Sequence, residues 1–318
     1  MNEDLVFTLF LLVPVASIAG IIILAKALRA APAKRYQIIS FNFALLVFLL
    51  SSLLLAGETY YRFFYDATDA LDYTKVSERW FQRHYHQNRF GCRDSIEYTN
   101  QIQAGKRRIT FLGDSFAAGH GIMNVEDRFS NRLRRAHPDW EIHVIARPGF
   151  DTTNEIKSIE ALTSGNYELD EVVLVYCLND IQDLIPECTA AVNRIYADVD
   201  YSGWLRRNSY FINVLYHRFN ALRNPDIKNY FQLVEKGYQG SAWLEQEQRL
   251  KLLKDLVESH RGRLSVITFP FLHALGPGYK FQPIHDKLSR FWNELNVPHL
   301  DLLSIYSPPQ KNTHSEPI

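Results

Sequence analysis

The distribution of apolar residues divides the chain into a short N-terminal part with two long apolar runs and a longer part with short ones. Residues 5–25 and 38–56 carry no charge, and each run is close to the roughly 20 residues that a helix needs to cross a bilayer. A cleaved signal peptide fits less well, because Glu3 and Asp4 make the start of the chain acidic and a second apolar run follows. The pattern therefore predicts a transmembrane hairpin over residues 1–57.

Basic residues indicate how such a hairpin is oriented. Lys26, Arg29, Lys34 and Arg35 lie in and around the short segment between the two apolar runs. Short loops rich in Lys and Arg stay on the cytoplasmic side of a membrane, so both ends of the hairpin are expected on the other side. We therefore expect a protein of the cell (inner) membrane whose remaining residues face the periplasm or the exterior.

Short β-branched runs alternate with helical patterns beyond residue 104. The predicted strands are 108–112, 141–146, 172–177, 264–269 and 299–303, and the helical patterns between them include 128–137, 154–163, 243–260 and 284–295. Continuously apolar strands separated by helices are typical of a parallel sheet covered on both faces. The pattern predicts an α/β fold with a five-stranded parallel sheet and right-handed crossovers.

These patterns predict three segments along the chain. The hairpin, residues 1–57, is followed by an aromatic and charged link between membrane and domain at 58–104, and then by the α/β domain at 105–318. Residues 181–239 interrupt the alternation as an insert rich in Tyr, Trp, Phe and Arg. The insert is either a packed helical subdomain or a wall over a binding crevice, and the sequence leaves both open.

Charge and cysteine usage narrow the function. The 35 basic and 35 acidic side chains cancel, so the chain has no net field to attract nucleic acid, and we expect no nucleic-acid partner. Cys92, Cys177 and Cys188 are either free thiols or one disulfide and one thiol. His84 and His86 lack a Cys, Asp or Glu at ligand spacing, so we expect neither a metal nor another cofactor.

Three predicted strands end in loops that carry chemically useful groups. Ser115 follows the first strand, Gly149 the second and Asn179 the third. Ligands of parallel α/β sheets bind outside the carboxyl ends of the strands. A serine hydroxyl there can act as a nucleophile, and the Ser115 and Gly149 amides with the Asn179 side chain can form an oxyanion hole. Taken singly, Ser115 is also a plausible helix cap, and Gly149 and Asn179 plausible turn residues.

Further polar residues belong to the same predicted crevice. Asp114 and Asp180 adjoin the first and third loops, and His273 follows the fourth strand, so we assign all three to the substrate pocket. His120 lies just beyond the nucleophile. Either histidine could act as a general base for Ser115, and either is also explained as a polar pocket or capping residue.

The stretch "FLGDSF" at 111–116, together with Gly149 and "YCLND" at 176–180, resembles the SGNH (GDSL) hydrolase family. The similarity runs from about residue 88 to 303, and "NRFGCRDSIEY" at 88–98 resembles the lead-in of membrane-tethered bacterial members. The resemblance implies a three-layer, flavodoxin-like α/β/α sandwich. It also implies that Ser115 is nucleophile and oxyanion donor, and that Gly149 and Asn179 complete the oxyanion hole.

Two features depart from the family pattern. The glycine usually found in the third motif is replaced by Tyr176 or Cys177, depending on alignment. The C-terminal Asp-x-x-His, whose histidine is the general base in the family, is not found after residue 301. His314, in the C-terminal tail, is therefore the candidate general base, with Lys311 at the position of the orienting aspartate.

The family acts on esters or transfers acyl groups, often on carbohydrates, lipids or small acyl esters. We therefore expect a membrane-anchored, extracytoplasmic serine ester hydrolase that forms an acyl-enzyme on Ser115 and acts on an envelope glycan or lipid. The alternatives are an acyl (O-acetyl) transferase, a catalytically silent binding module of the same fold, and a truncated chain. The G-x-S-x-G elbow of α/β-hydrolases fits less well, because Ala117 replaces its last glycine.

Overall fold

The computed structural model describes residues 2–30, 32, 34–69, 71, 73–200 and 203–306, without the side chains of 198–200. The chain forms two compact units, which are described separately. The N-terminal unit comprises Met1–Arg83 and Ile195–Lys228, and the sheet unit comprises His84–Arg194 and Asn229–Ile318. The segment predicted as a link and the predicted insert are thus each divided between the two units.

The helices and strands are numbered in chain order. The helices are α1 (Asn2–Ala30), α2 (Arg35–Thr59), α3 (Lys75–His84), α4 (Ser115–Ala118), α5 (Phe129–Ala136), α6 (Thr152–Ser164), α7 (Pro186–Asp200), α8 (Trp204–Asn208), α9 (Tyr210–Arg223), α10 (Pro225–Gly237), α11 (Ser241–Ser259), α12 (Gln282–Glu294) and α13 (Leu303–Tyr306). The strands are β1 (Arg107–Gly113), β2 (Trp140–Ala146), β3 (Glu171–Cys177), β4 (Arg263–Phe269) and β5 (His299–Asp301).

Two helices of the N-terminal unit, Asn2–Ala30 and Arg35–Phe64, are long and apolar enough to cross a membrane. The second consists of α2 and a π-helical turn at Tyr60–Phe64. The helices are antiparallel, because the Phe7 and Phe63 rings lie 5.4 Å apart and Arg62 forms a 2.5 Å ion pair with Asp4. We call this end, opposite residues 31–34, the open end of the hairpin.

Helix α9 is held at the open end by a buried carboxylate. Glu58 is fully buried and accepts hydrogen bonds from the Ser209 hydroxyl (2.6 Å) and from the Tyr210 and Phe211 amides (3.1 and 3.0 Å). The first amides of a helix have no partner within the helix, and an anion there is also favoured by the helix dipole. Glu58 therefore fixes the start of α9 to the end of α2.

The sheet unit contains one five-stranded parallel sheet with strand order β2-β1-β3-β4-β5. Leu112, Leu174 and Val266 face one apolar cluster with helices α6, α11 and α12, whereas Phe111, Val144 and Val175 face another with α4 and α5. The sheet is thus buried on both faces, as its continuously apolar strands predicted. Strand β5 is shorter than predicted, because Asp301 accepts a hydrogen bond from the Leu303 amide (2.9 Å) where α13 begins.

The lead-in segment 88–98 clamps the sheet unit through buried charges. Arg93, fully buried, donates to the carbonyl of Gly119 (2.5 Å) and so holds the turn after α4. The Asp94 carboxylate binds Arg134 through two hydrogen bonds (3.0 and 2.8 Å) and Arg128 through one (3.0 Å). Burial alone would raise the pKa of Asp94, but its bonds to Arg134 and the neighbouring charges lower it to about 2.

We expect Asp94→Asn to destabilise the sheet unit by about 3 to 5 kcal/mol, because removing one partner leaves Arg128 buried without its counter-charge. Denaturant unfolding of the full chain, followed by tryptophan fluorescence, measures this. Asp170→Asn is the control, because Asp170 forms a partly exposed ion pair with Arg263 and should cost less than about 1 kcal/mol. Equal losses of unfolding free energy in the two variants would contradict this stabilising role of Asp94.

The pH dependence of stability provides a second measure of the same network. Because the pKa of Asp94 is depressed from 3.8 to about 2 in the folded state, its stabilisation is present above pH 4 and is lost as pH falls towards 2. The wild type should therefore lose more stability over this range than Asp94→Asn.

Candidate active site

The three predicted loops leave the sheet side by side. Strand β1 pairs in parallel with β2 on one side and β3 on the other, and Gly113 at its end is in register with Ala146 and Val175. Parallel strands have their carboxyl ends at the same edge of a sheet. The loops bearing Ser115, Gly149 and Asn179 therefore emerge from three adjacent strands, at the edge where ligands bind in such folds.

Ser115 is the first residue of α4, directly after β1. Asp114 caps this helix, because its carboxylate accepts a hydrogen bond from the Phe116 amide at 2.8 Å. The Ser115 hydroxyl, half-buried, lies 3.4 Å from the other Asp114 oxygen. A Cβ on Gly113 would lie 2.8 Å from the Val175 carbonyl, so a glycine is needed for the tight passage from strand to helix.

Gly149 occupies the exposed turn after β2. Its φ of +82° lies in the left-handed region that favours glycine. A Cβ built at this position would have no atom within 4 Å. The backbone here is thus open to an approaching ligand.

Asn179 lies in a turn closed by its neighbour. The Asp180 carboxylate accepts a hydrogen bond from the Cys177 amide (2.8 Å), and the Asp180 amide donates to the Cys177 carbonyl (3.0 Å). Asn179 stays partly exposed, while Asp180 is fully buried. The turn therefore leaves Asn179, whose side chain hydrogen-bonds Tyr230, partly accessible and withdraws the Asp180 carboxylate from solvent.

Buried acids lie beneath these loops. Asp114, Glu155 and Asp180 are almost or completely inaccessible, so the two predicted pocket aspartates support the loops from below. Burial raises the pKa of Asp114 to about 6. Burial, reinforced by the charges of neighbouring acids, raises the pKa values of Glu155 and Asp180 well above their usual range.

The structure places the predicted histidines differently relative to Ser115. The Ser115 hydroxyl donates a hydrogen bond to Asp114, and His120 interacts electrostatically with the same carboxylate. His120 donates its backbone amide to the Ser115 carbonyl at 2.9 Å, and His273 is exposed with its ring 4.0 Å from that of Phe231. His314 lies outside the described residues.

A histidine–aspartate pair that the sequence analysis missed lies in the sheet unit. His285 Nδ1 is 2.8 Å from Asp301 Oδ1, while His285 Nε2 is 3.2 Å from the Tyr279 hydroxyl, which accepts from the Phe271 amide. His285 is fully buried, so this chain of bonds anchors the segment between β4 and α12. No motif links these residues, although a polar His285 on the apolar face of α12 was a visible signal.

A cavity of about 410 Å³ adjoins the Gly149 turn. Arg147 and Phe150, on either side of Pro148 and Gly149, both line it. Most of the remaining lining is apolar or small: Phe90, Cys92, Asn100, Ile145, Ser158, Ala161, Leu162, Gly165 and Tyr167. Its volume is within the range of small-molecule sites.

The state of the three cysteines was the other alternative that the sequence left open. Cys92, Cys177 and Cys188 are buried free thiols, so none of the three forms a disulfide. Among the described residues, no group of three or more His, Cys, Asp or Glu side chains is arranged to hold a metal ion.

Comparison with known proteins does not identify a family. No protein-family model matches the chain, and no curated protein matches its sequence.

We expect Glu155→Gln to leave the unfolding free energy unchanged or to raise it at neutral pH, because an ionised Glu155 is costly to bury beside Asp114 and Asp151. The folded state holds this proton more tightly than the unfolded one. The contribution of this group to stability should therefore be largest below pH 4.5 and be lost as pH rises through its folded pKa.

Urea unfolding between pH 4.5 and 8 measures this effect. Glu155→Gln should show a smaller loss than the wild type, with Asp114 and Asp180 supplying what remains. Glu160→Gln, at an exposed position of the same helix, should behave as the wild type. A pH profile unaltered by Glu155→Gln would contradict the assignment.

Proposed function

We propose that this chain is a membrane-anchored serine ester hydrolase of the SGNH type. The observation that carries the proposal is the position of Ser115, Gly149 and Asn179 in loops that follow three adjacent parallel strands. A hydroxyl and amide donors at neighbouring strand ends supply the two requirements of acyl transfer, a nucleophile and an oxyanion hole.

In the proposed reaction, Ser115 Oγ bonds to the acyl carbon of an ester as its proton passes to a base. The carbonyl oxygen becomes an oxyanion, stabilised by the amides of Ser115 and Gly149 and the side chain of Asn179. Collapse breaks the bond to the leaving alcohol, which takes up a proton, and leaves an acyl-enzyme. Water then attacks the acyl carbon, releasing the acid and restoring Ser115.

His314 is the sequence-based candidate for the base. In the described chain, Asp114 is the titratable group beside the hydroxyl, but it is buried and also caps α4. We therefore assign Asp114 a positioning role: it fixes the start of α4 and the direction of the Ser115 side chain. A second candidate is a catalytically silent binding module of the same fold, because the Asp-x-x-His of the family is not found after residue 301.

The surroundings favour a substrate with an apolar part. The cavity beside the Gly149 turn has a mainly apolar lining and the Arg147 guanidinium, which suit an acyl chain or an amphiphilic alcohol carrying a negative charge. The two apolar helices would hold the enzyme at a cell membrane, with the sheet unit on the periplasmic or outer side. Transfer of the acyl group to an acceptor hydroxyl would use the same acyl-enzyme.

A fluorophosphonate probe tests the nucleophile. We expect the full chain in detergent to be labelled and Ser115→Ala to be unlabelled, because the probe reacts with an activated serine hydroxyl. Ser164→Ala, an exposed serine at the end of α6, should be labelled as the wild type. A folded wild type that resists labelling would favour the silent binding module.

The oxyanion hole is tested by Asn179→Ala. We expect hydrolysis of a p-nitrophenyl ester to fall by about 10²- to 10³-fold in kcat, the usual cost of removing one donor. KM should change much less, because the donor acts on charge that develops in the transition state. A change confined to KM would instead assign Asn179 to ground-state binding.

A further inference from the structure

An apolar stripe on α9 is exposed at the surface of the N-terminal unit. Leu215, Phe219 and Leu222 are 56%, 51% and 70% exposed and follow one another at helical spacing. The opposite side of the helix is buried through Val214 and His217. A contiguous apolar patch that the fold leaves uncovered marks an interaction surface.

The preceding helix adds to this surface. Trp204 and Leu205, on α8, are also exposed, and α8 contacts α1 of the hairpin. Tryptophan, with an apolar body and one polar N–H, is enriched where a membrane meets water.

Contacts with the residues that follow α2 place α9 at the open end of the hairpin. Phe211 stacks on Tyr61 with ring centroids 5.9 Å apart, and Arg218 donates to the hydroxyls of Tyr61 and Tyr65 (3.2 and 3.1 Å). Together with the Glu58 bonds to its first turn, these contacts fix α9 beside residues 57–65. If the hairpin spans a bilayer, this level is the boundary between hydrocarbon and water.

The open end itself has the composition of that boundary. Tyr60, Phe63 and Phe64 are exposed, and Glu3, Asp4 and Arg62 lie beside them. Aromatic residues gather in such belts at the headgroup level, with charged residues just outside.

Charge favours an anionic surface. Residues 203–225 contain Arg206, Arg207, Arg218 and Arg223 and no acidic residue. The Arg223 guanidinium lies 3.9 Å from the centre of the Phe219 ring, so a cation adjoins the apolar stripe. Basic residues beside an exposed apolar stripe are characteristic of helices that lie in the headgroup layer of anionic membranes.

We infer that α8 and α9 form a membrane-surface element, whose exposed apolar residues enter the headgroup region of an anionic phospholipid bilayer. This inference rests on the part of the proposed function that places the hairpin across a membrane. It is independent of the chemistry at Ser115.

Brominated lipids, which quench tryptophan only at close range, test the inference. The full chain is placed in nanodiscs of phosphatidylcholine and phosphatidylglycerol, with and without brominated acyl chains. We expect the fluorescence added by Phe219→Trp to be quenched by about half, as for a side chain at the acyl boundary. Leu252→Trp, an equally exposed apolar position in the sheet unit, should not be quenched.

The charge component has its own test. Quenching of Phe219→Trp should increase with the fraction of phosphatidylglycerol, and Arg223→Gln should weaken that increase because it removes the cation next to the stripe. Quenching that does not depend on the fraction of phosphatidylglycerol in either variant would overturn the assignment of an anionic surface.

Two further results would overturn the inference. Equal fluorescence of Phe219→Trp in brominated and ordinary discs would show that lipid does not cover α9. The apolar stripe would then be a site for another protein. Release of the chain from membranes by alkaline carbonate would show that the hairpin does not span the bilayer, and the inference rests on that placement. An unlabelled wild type, or labelling retained in Ser115→Ala, would overturn the chemistry proposed at Ser115 but would change neither lipid result, so the two failures are distinguishable.

Discussion

Parallel pairing of β1 with β2 and β3 is the constraint on which the candidate site depends. It brings the ends of three strands, far apart in the chain, to one edge of the sheet. The buried charges of the lead-in segment then stabilise the region around the loops that follow these strands. Arg93 holds the turn after α4, and Asp94 binds Arg134 of α5 and Arg128 just before that helix.

Strands β1, β2 and β3 were predictable from sequence because they are largely buried on both faces and therefore mostly apolar, whereas β5 leaves Leu300 exposed. The placement of Ser115, Gly149 and Asn179 in loops after successive strands followed from that pattern, because the order of strands and loops along the chain is read directly from the sequence. The Glu58 cap and the His285–Asp301 pair did not follow. Glu58 reads as a polar residue ending an apolar run, and its partners lie some 150 positions later. A contact of that kind depends on tertiary packing, which leaves no periodic trace in either segment.

Buried carboxyl groups give the site a marked electrostatic character. Asp114, Glu155 and Asp180 would repel one another if all were ionised, and burial removes the water that would screen them. Their raised pKa values are the response to this crowding. The buried acids Asp114 and Asp180 tie their loops through backbone hydrogen bonds, at the expense of stability as pH rises.

The Glu58 carboxylate also has a consequence for the order of events during biosynthesis. The hairpin is translated well before α9, so the carboxylate exists without its ligands until residues 209–211 have been made. The amides of α9 in turn lack their acceptor unless the hairpin is already in place. Folding of the N-terminal unit is thereby coupled to prior formation of the hairpin, and the late segment completes a structure that the early one begins.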